Sequence, residues 1–238
     1  MTLAQPDVGS FDEPREVHVW VIRTDAASLD DLAPLLAADE IERAARFHFQ
    51  RDRVRFIVRR AHLRRLLGAY LDQDPTAVRF ATTGNGKPVL ARPEADLHFS
   101  VSHSGNVGVC AVGRNHPVGI DVEQIRTGVE DTLASRVCTP NERAALERIP
   151  AQARPAAFFT LWTHKEALVK ADGRGLRVEL KTVDVASALQ SGTAVVQIPS
   201  VTGEHQQWKS HSVHLEGNVT AALAAPARSD LRIAVHRL

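Results

Sequence analysis

The chain has 238 residues, 44% of them hydrophobic and 24% charged, and carries a formal net charge of +1. This is the profile of a soluble globular protein of one large or two small domains, and so even a charge balance gives no ground for a nucleic-acid or membrane partner. No apolar run is long enough to cross a bilayer, and the start, "MTLAQPDVGSFDEPREVHVW", lacks the charged region and apolar core of a signal peptide, so the chain reads as cytoplasmic.

Residues 1–15, rich in Pro, Gly and acids, read as a flexible leader. "EVHVWVIR" (Glu16 to Arg23) alternates as a strand does. "SLDDLAPLLAADEIERAARF" follows as a helical stretch with Ser28 as its capping candidate. From about Arg51 to Leu71 the apolar residues Val54, Ile57, Val58, Ala61, Leu63, Leu66, Leu67 and Tyr70 form the stripe of a longer helix. "AVRFATTGNGKPVLA" and "LHFSVSHSGNVGVCAVG" each read as strand, turn, strand, with turns at Gly84–Gly86 and Ser104–Asn106. "RNHP" (Arg114 to Pro117) marks the break between an N-terminal half, 16–116, and a C-terminal half, 117–238. The second half opens with the strand "VGIDVE" and continues through helices near Val129–Arg136, Pro140–Arg148 and Arg154–Ala171. The last of these stops before "DGRGL", with glycine as its cap. "TVDVAS", "TAVVQIP", "QWKSHSVHLE", "VTAALAAP" and "LRIAVHRL" then read as short strands. Helices and antiparallel strands in both halves make an α+β fold. No repeat is visible in the letters, so any duplication must be structural.

Two cysteines, Cys110 and Cys138, fit no metal-ligand spacing, and Cys110 in "VGVCAV" reads as a buried small hydrophobe. Only five of the 29 basic residues are lysines: Lys87, Lys165, Lys170, Lys181 and Lys209. Two of them fall in "FFTLWTHKEALVKADGRGL", where Trp162, Glu166 and Lys170 share one helix face at i, i+4, i+8. A surface Glu–Lys pair beside a core tryptophan would explain that spacing equally well. In "GIDVE", Asp121 and Glu123 point to the same side of a strand, a like-charge pair that needs a neighbouring cation. Joined by Glu166 they would make an all-oxygen site suited to Mg²⁺; an ion-pair network with arginines is the alternative. Lys87, after a glycine turn, and Ser102 and His103, beside another, can supply donors to a bulky anion. The arginine-dense helix from Arg43 to Arg65 could be a nucleic-acid stripe. Its arginines scatter around the helix with few aromatics between them, which favours a solvated face with a local phosphate clamp.

"GKP", "FSVSHSG", "GIDVE" and "LWTHKEALVKADGRGL", in this order and spacing, resemble the Sfp-type 4′-phosphopantetheinyl transferases, and "ERAARFHFQRDRVRFIVRRAHLRRLL" extends the likeness back to Glu42. The resemblance implies a pseudo-twofold pair of similar α+β subdomains in a monomer. It implies transfer of 4′-phosphopantetheine from coenzyme A to a serine of an apo acyl or peptidyl carrier protein, with release of 3′,5′-ADP. Asp121, Glu123 and Glu166 are then the ligands of Mg²⁺, or of Mn²⁺. Glu166 is also the general base, and Lys170 serves the leaving phosphate, with Lys165 on the same anion. Lys87, Ser102 and His103 hold the nucleotide end of coenzyme A, and Arg43 and Arg60 are further phosphate contacts. Some members place an oxygen-bearing residue where this chain has Phe56, so Arg55 or Arg60 is expected to compensate. A transferase whose nucleophile arrives on its partner needs no activated Ser or Cys of its own, and none is evident. A Mg²⁺-dependent nucleotide phosphohydrolase and an arginine-rich nucleic-acid-binding module are the other readings.

Overall fold

The computed structural model describes residues 6–9, 15–25, 29–91, 96–128, 130–174, 178–199, 205–227 and 231–238. Most of the expected leader and the Ser28 cap lie outside these residues.

Four layers stack in the order helix, sheet, sheet, helix. Strand β1 (Glu16–Arg23) is followed by the short helices α1 (Leu29–Leu32) and α2 (Ala38–Ala45) and by the long helix α3 (Gln50–Tyr70). A small hairpin, β2 (Phe80–Thr82) and β3 (Pro88–Leu90), precedes the longer hairpin β4 (Leu97–Ser104) and β5 (Val107–Arg114). The second half runs β6 (Gly119–Gln124), α4 (Glu130–Val137), α5 (Pro140–Glu147), the long helix α6 (Arg154–Asp172) and the short helix α7 (Ala188–Ser191). It ends with β7 (Thr193–Pro199), β8 (His205–Val213), β9 (Val219–Pro226) and β10 (Arg232–Arg237). "TVDVAS" is not a strand. Its start closes a 3₁₀ turn at Leu180–Thr182, and its end leads into α7.

The sheets have the orders β10-β1-β5-β4 and β6-β9-β8-β7. In each half a strand leads through a long helix to antiparallel strands, the last of which returns beside the first: β5 pairs with β1, and β9 with β6. This is the α+β pseudo-twofold plan. One strand breaks the division at 116/117. β10, at the end of the second half, lies in the first sheet, parallel to β1 in the register Val17 to Ile233 and Val19 to Val235. The C-terminus therefore straps the halves together.

Strand periodicity explains the layering. Val17, Val19 and Val21 of β1 and Val109 and Ala111 of β5 face Val118, Ile120 and Val122 beside β9, making the core between the sheets. Trp20, Cys110 and Val112 point the other way, onto Leu63, Leu66 and Leu67 of α3. Ala222, Ala224 and Trp208 meet Phe158, Leu161 and Leu168 of α6. Strands covered on both faces must be apolar throughout, which is why "VGVCAVG" and "VTAALAAP" do not alternate. Cys110 and Cys138 are both buried free thiols. Helix α6 approaches β6 so closely that a Cβ on Gly119 would stand 2.0 Å from the Ala167 carbonyl oxygen. Glycine there lets the helix lie directly on the strand that carries Asp121 and Glu123. The helix ends at Gly173, whose φ of 81° is the left-handed cap the sequence called for.

Candidate active site

Strand β4 and strand β6 are the edges of their respective sheets, and they meet side by side. Side chains, rather than a backbone ladder, join them. Ser100, Ser102 and Ser104 alternate along β4 and so point the same way. Ser100 Oγ accepts from the Ile120 N–H at 3.1 Å, and Ser102 Oγ donates to Asp121 Oδ1 at 2.6 Å. Ser104 Oγ donates to Glu123 Oε2 at 2.7 Å and accepts from the Gln124 N–H at 3.0 Å.

Asp121 and Glu123 do share a face, the one turned towards α6. The cations that make this tolerable are Lys170, whose Nζ is 2.7 Å from Asp121 Oδ1, and Arg126, 3.5 Å from Glu123 Oε2. Lys170 Nζ also donates to the Ile120 carbonyl at 3.1 Å. One turn before it, Glu166 is half-buried. Burial first, and then the negative charge of Asp121, hold its carboxyl above the usual carboxylate range; Lys170 opposes that shift. Asp121 is only 5% exposed, and its Oδ2 accepts no hydrogen bond among the described residues.

A buried carboxylate oxygen without a donor, beside a second carboxyl that resists ionisation, marks a site short of positive charge. Three such acids are the hard-oxygen donor set that a Mg²⁺-type ion prefers. The residues therefore fit a divalent cation. They are not drawn into a finished cage: among the described residues no three His, Cys, Asp or Glu side chains already converge as one would require, and Lys170 lies against Asp121.

Beside the acids, a cavity of about 310 Å³ opens between α3, the β2–β3 hairpin and the β4–β5 hairpin. Arg43, Arg59, Arg60, Ser102 and His103 line it, with Phe56 and Phe80. Arg43 lies 5.2 Å from the Phe56 ring centroid. Arg60 stacks on Phe80 at 3.7 Å and is paired with the buried Glu40, which also holds Arg64 at 2.6 Å. Arg55 donates to Asn106 Oδ1 at 2.9 Å. Neither arginine expected to compensate at Phe56 is thus uncommitted. Arg59 is left open, with no hydrogen bond or ion pair to any described residue; Arg43 has only its contact with the Phe56 ring. Burial pushes the Arg59 guanidinium down to about 10, with Arg55 nearby adding to the effect. His103, at the cavity's solvent edge, is lowered to about 4 by desolvation and then by Arg59 and Lys170, so the ring is neutral near pH 7. Sequence reasoning missed Arg59 because seven arginines on α3 look alike until the helix is laid on its sheet.

Two lysines are placed differently from the sequence expectation. Lys165 cannot touch a ligand in the cleft: it is fully buried, 2.8 Å from the equally buried Glu142, and donates to the carbonyls of Leu180 at 2.8 Å and Val183 at 2.5 Å. It fastens α6 to α5 and to the segment after the glycine turn. Lys87 spends its ammonium on the carbonyls of Lys170, at 2.7 Å, and Val118, at 3.2 Å, while Asn85 Nδ2 reaches the Gly173 carbonyl at 3.1 Å. Burial lowers Lys87 to about 8, with the Lys170 charge behind it. The β2–β3 hairpin thus walls the cavity and clasps the end of α6.

Two family models match this chain: a 4′-phosphopantetheinyl transferase N-terminal model over residues 23–115, and the 4′-phosphopantetheinyl transferase superfamily model over residues 117–227. The 4′-phosphopantetheinyl transferase HetI of Nostoc sp. is 40% identical over 176 residues, which cover 72% of this chain and 74% of HetI. The 4′-phosphopantetheinyl transferase psf-1 of Bacillus pumilus is 33% identical over 171 residues, 72% of each chain. Sfp of Bacillus subtilis strain 168 is 28% identical over 165 residues, 69% of this chain and 71% of Sfp. With the cationic cleft inside the residues matched by the first model and the acid cluster inside those matched by the second, the chain belongs to the 4′-phosphopantetheinyl transferase superfamily, as an enzyme of the Sfp type.

Proposed function

We propose that this transferase moves the 4′-phosphopantetheine arm of coenzyme A onto a serine hydroxyl of an apo acyl or peptidyl carrier protein. The observation that carries the reading is the hydrogen bond from Ser102 to Asp121 at 2.6 Å. A residue lining the cationic cavity holds an acid of the carboxylate cluster, so the two are ends of one site. In the reaction the serine oxygen forms a bond to the phosphorus bearing pantetheine, the bond from that phosphorus to the bridging oxygen breaks, and 3′,5′-ADP leaves.

Arg43, Arg59, Arg60 and His103 would bind the nucleotide phosphates, with Ser102 at the boundary between cavity and acids. Asp121, Glu123 and Glu166 would hold Mg²⁺, or Mn²⁺ in its place. When bound, the ion supplies Lewis-acid polarisation of the pyrophosphate. Glu166, whose carboxyl is poised above the ordinary range, would take the serine proton. Lys170, already beside Asp121, offsets charge on the departing oxygen. Because the cavity comes mainly from one half and the acids from the other, a single chain can supply the whole site, in keeping with a monomer. Two buried free thiols agree with a reducing, cytoplasmic setting.

The test is incubation with coenzyme A, Mg²⁺ and a panel of purified apo carriers, read by intact mass. A gain of one phosphopantetheine on a carrier, with 3′,5′-ADP released, is the predicted result. The carrier labelled would point to fatty-acid, polyketide, nonribosomal-peptide or siderophore synthesis. Consumption of coenzyme A with every carrier unmodified would mean a phosphohydrolase instead.

A further inference from the structure

The hydroxyl row on β4 does more than close a gap between two sheet edges. Its three serines have different partners. Among the described residues Ser100 Oγ meets only a backbone amide, that of Ile120. Ser104 has its rotor fixed from both sides, accepting from the Gln124 N–H at 3.0 Å while donating to Glu123 Oε2 at 2.7 Å. A hydroxyl has one proton to give. With the amide of Gln124 occupying a lone pair, that proton is directed at the carboxylate and no longer free to swing away.

The platform beneath Ser104 is held from three directions. Arg55 of α3 grips Asn106 Oδ1 through two nitrogens, at 2.9 and 2.7 Å. The Thr24 N–H donates to the Asn106 carbonyl at 3.0 Å. The Gln124 side chain fills the space where a Cβ on Gly105 would stand. The β4–β5 turn is therefore tied to β1, α3 and β6, and Ser104 is the first residue back from it. Glu123 needs such support more than Asp121 does. Asp121 is nearly buried and braced by Lys170, whereas Glu123 has a longer side chain, 23% exposed, whose one ion-pair partner among the described residues is Arg126 at 3.5 Å. Its Oε1 accepts no hydrogen bond from a described residue.

We propose that Ser104 is a positioning residue: it fixes the Glu123 carboxylate so that Oε1 is presented to the metal, and the rigidity of the β4–β5 turn is what makes that presentation sharp. The inference rests on the function proposed above. An outer hydrogen bond of this kind commonly governs ten- to a hundredfold in metal affinity.

The experiment counts free Mn²⁺ by electron paramagnetic resonance as it is titrated into the full chain with coenzyme A present. It compares wild type, Ser104→Ala, Ser104→Thr and Ser100→Ala, with thermal melting on each. Ser104→Ala should weaken Mn²⁺ binding by about tenfold, and Ser104→Thr, which keeps the hydroxyl, should stay within about twofold of wild type. Ser100→Ala removes the same atom from the same row. It should lower the melting temperature without changing Mn²⁺ affinity, since its loss touches no carboxylate. Equal weakening by Ser100→Ala and Ser104→Ala, or wild-type affinity in Ser104→Ala, would overturn the positioning role and leave the transferase reading standing. A wild-type chain that binds no Mn²⁺ in the presence of coenzyme A would sink both.

Discussion

Helix α3 lies on the first sheet with arginines at 51, 53, 55, 59, 60, 64 and 65; helix α6 lies on the second with only Lys165, Glu166 and Lys170 charged between Arg154 and Asp172 at its ends. The two helices occupy equivalent places in equivalent halves. On α3 the cations are handled one at a time: Arg64, 2% exposed, is shared between Glu40 and the carbonyls of Pro75 and Val78; Arg55 goes to Asn106; Arg59 is left to the cavity. On α6 the acid and one lysine are aimed at Asp121, and the other lysine is sunk behind them. One architecture thus presents a cationic wall from its first half and a carboxylate floor from its second. A substrate that is anionic at several points and must meet a metal needs both kinds of surface, and duplicated halves can specialise in this way without altering the fold.

That contrast can be broken from either side. The largest effect is expected at the carboxylate floor. Asp121→Ala should lower carrier phosphopantetheinylation per folded molecule by about 10²–10³-fold, with a modest fall in the melting temperature, because relief of the repulsion from neighbouring carboxyls offsets only part of the lost Lys170 ion pair. Rates near wild type at saturating Mg²⁺ would argue against the acid cluster as the centre of the chemistry.

The two lysines of α6 carry the same contrast into a single helix. Lys165→Met should cost about 3–5 kcal/mol of stability in urea unfolding, since it leaves the Glu142 carboxylate buried and unpaired, and adding Glu142→Gln should recover most of it. Catalytic rate per folded molecule should hardly move. A stable Lys165→Met protein with a collapsed rate would instead put that lysine on the substrate. Lys170→Ala should lower the melting temperature as well, since the nearly buried Asp121 loses its ion pair, but per folded molecule kcat should fall by roughly tenfold or more, while KM for coenzyme A stays within about twofold. A purely raised KM would contradict the role given to it.

On the cationic wall the effect is smaller. Arg59→Met should raise KM for coenzyme A by about tenfold, the loss of one charge-assisted contact, with kcat retained. An unchanged KM would mean that the open guanidinium of the cavity is not a phosphate ligand.

Much of this arrangement was legible in the letters, for physical reasons. The first turns of α3 are legible from Val54, Ile57, Val58 and Ala61, which recur every three or four residues, and the alternation of "GIDVE" forces Asp121 and Glu123 onto one side of their strand. The i, i+4, i+8 spacing of Trp162, Glu166 and Lys170 likewise fixes their common face. The burial of Lys165 was within reach of the same rule. It lies four residues after Leu161 and three before Leu168, on the apolar face and a hundred degrees round from Glu166. The word "KE" hid that difference, because adjacency in sequence is not adjacency on a helix. What could not be read were the long-range partners. Nothing in "LRIAVHRL" says that β10 returns to the first sheet. Nothing in "SVSHS" says that its hydroxyls meet β6, and nothing near Lys87 names the carbonyls of Lys170 and Val118 that take up its charge. Those contacts depend on how two sheets are set against each other, which local pattern does not encode.

In the function proposed above, the cavity and the acid cluster act as one site across the β4–β6 seam. Diffraction from crystals grown with coenzyme A and Mn²⁺, with an anomalous difference map, tests it most directly. One Mn²⁺ peak should appear within bonding distance of Asp121, Glu123 and Glu166, on the pyrophosphate of a nucleotide whose other phosphate lies by Arg59 and His103. A nucleotide bound outside the cavity, or an ion held away from those three carboxylates, would contradict the single-site reading.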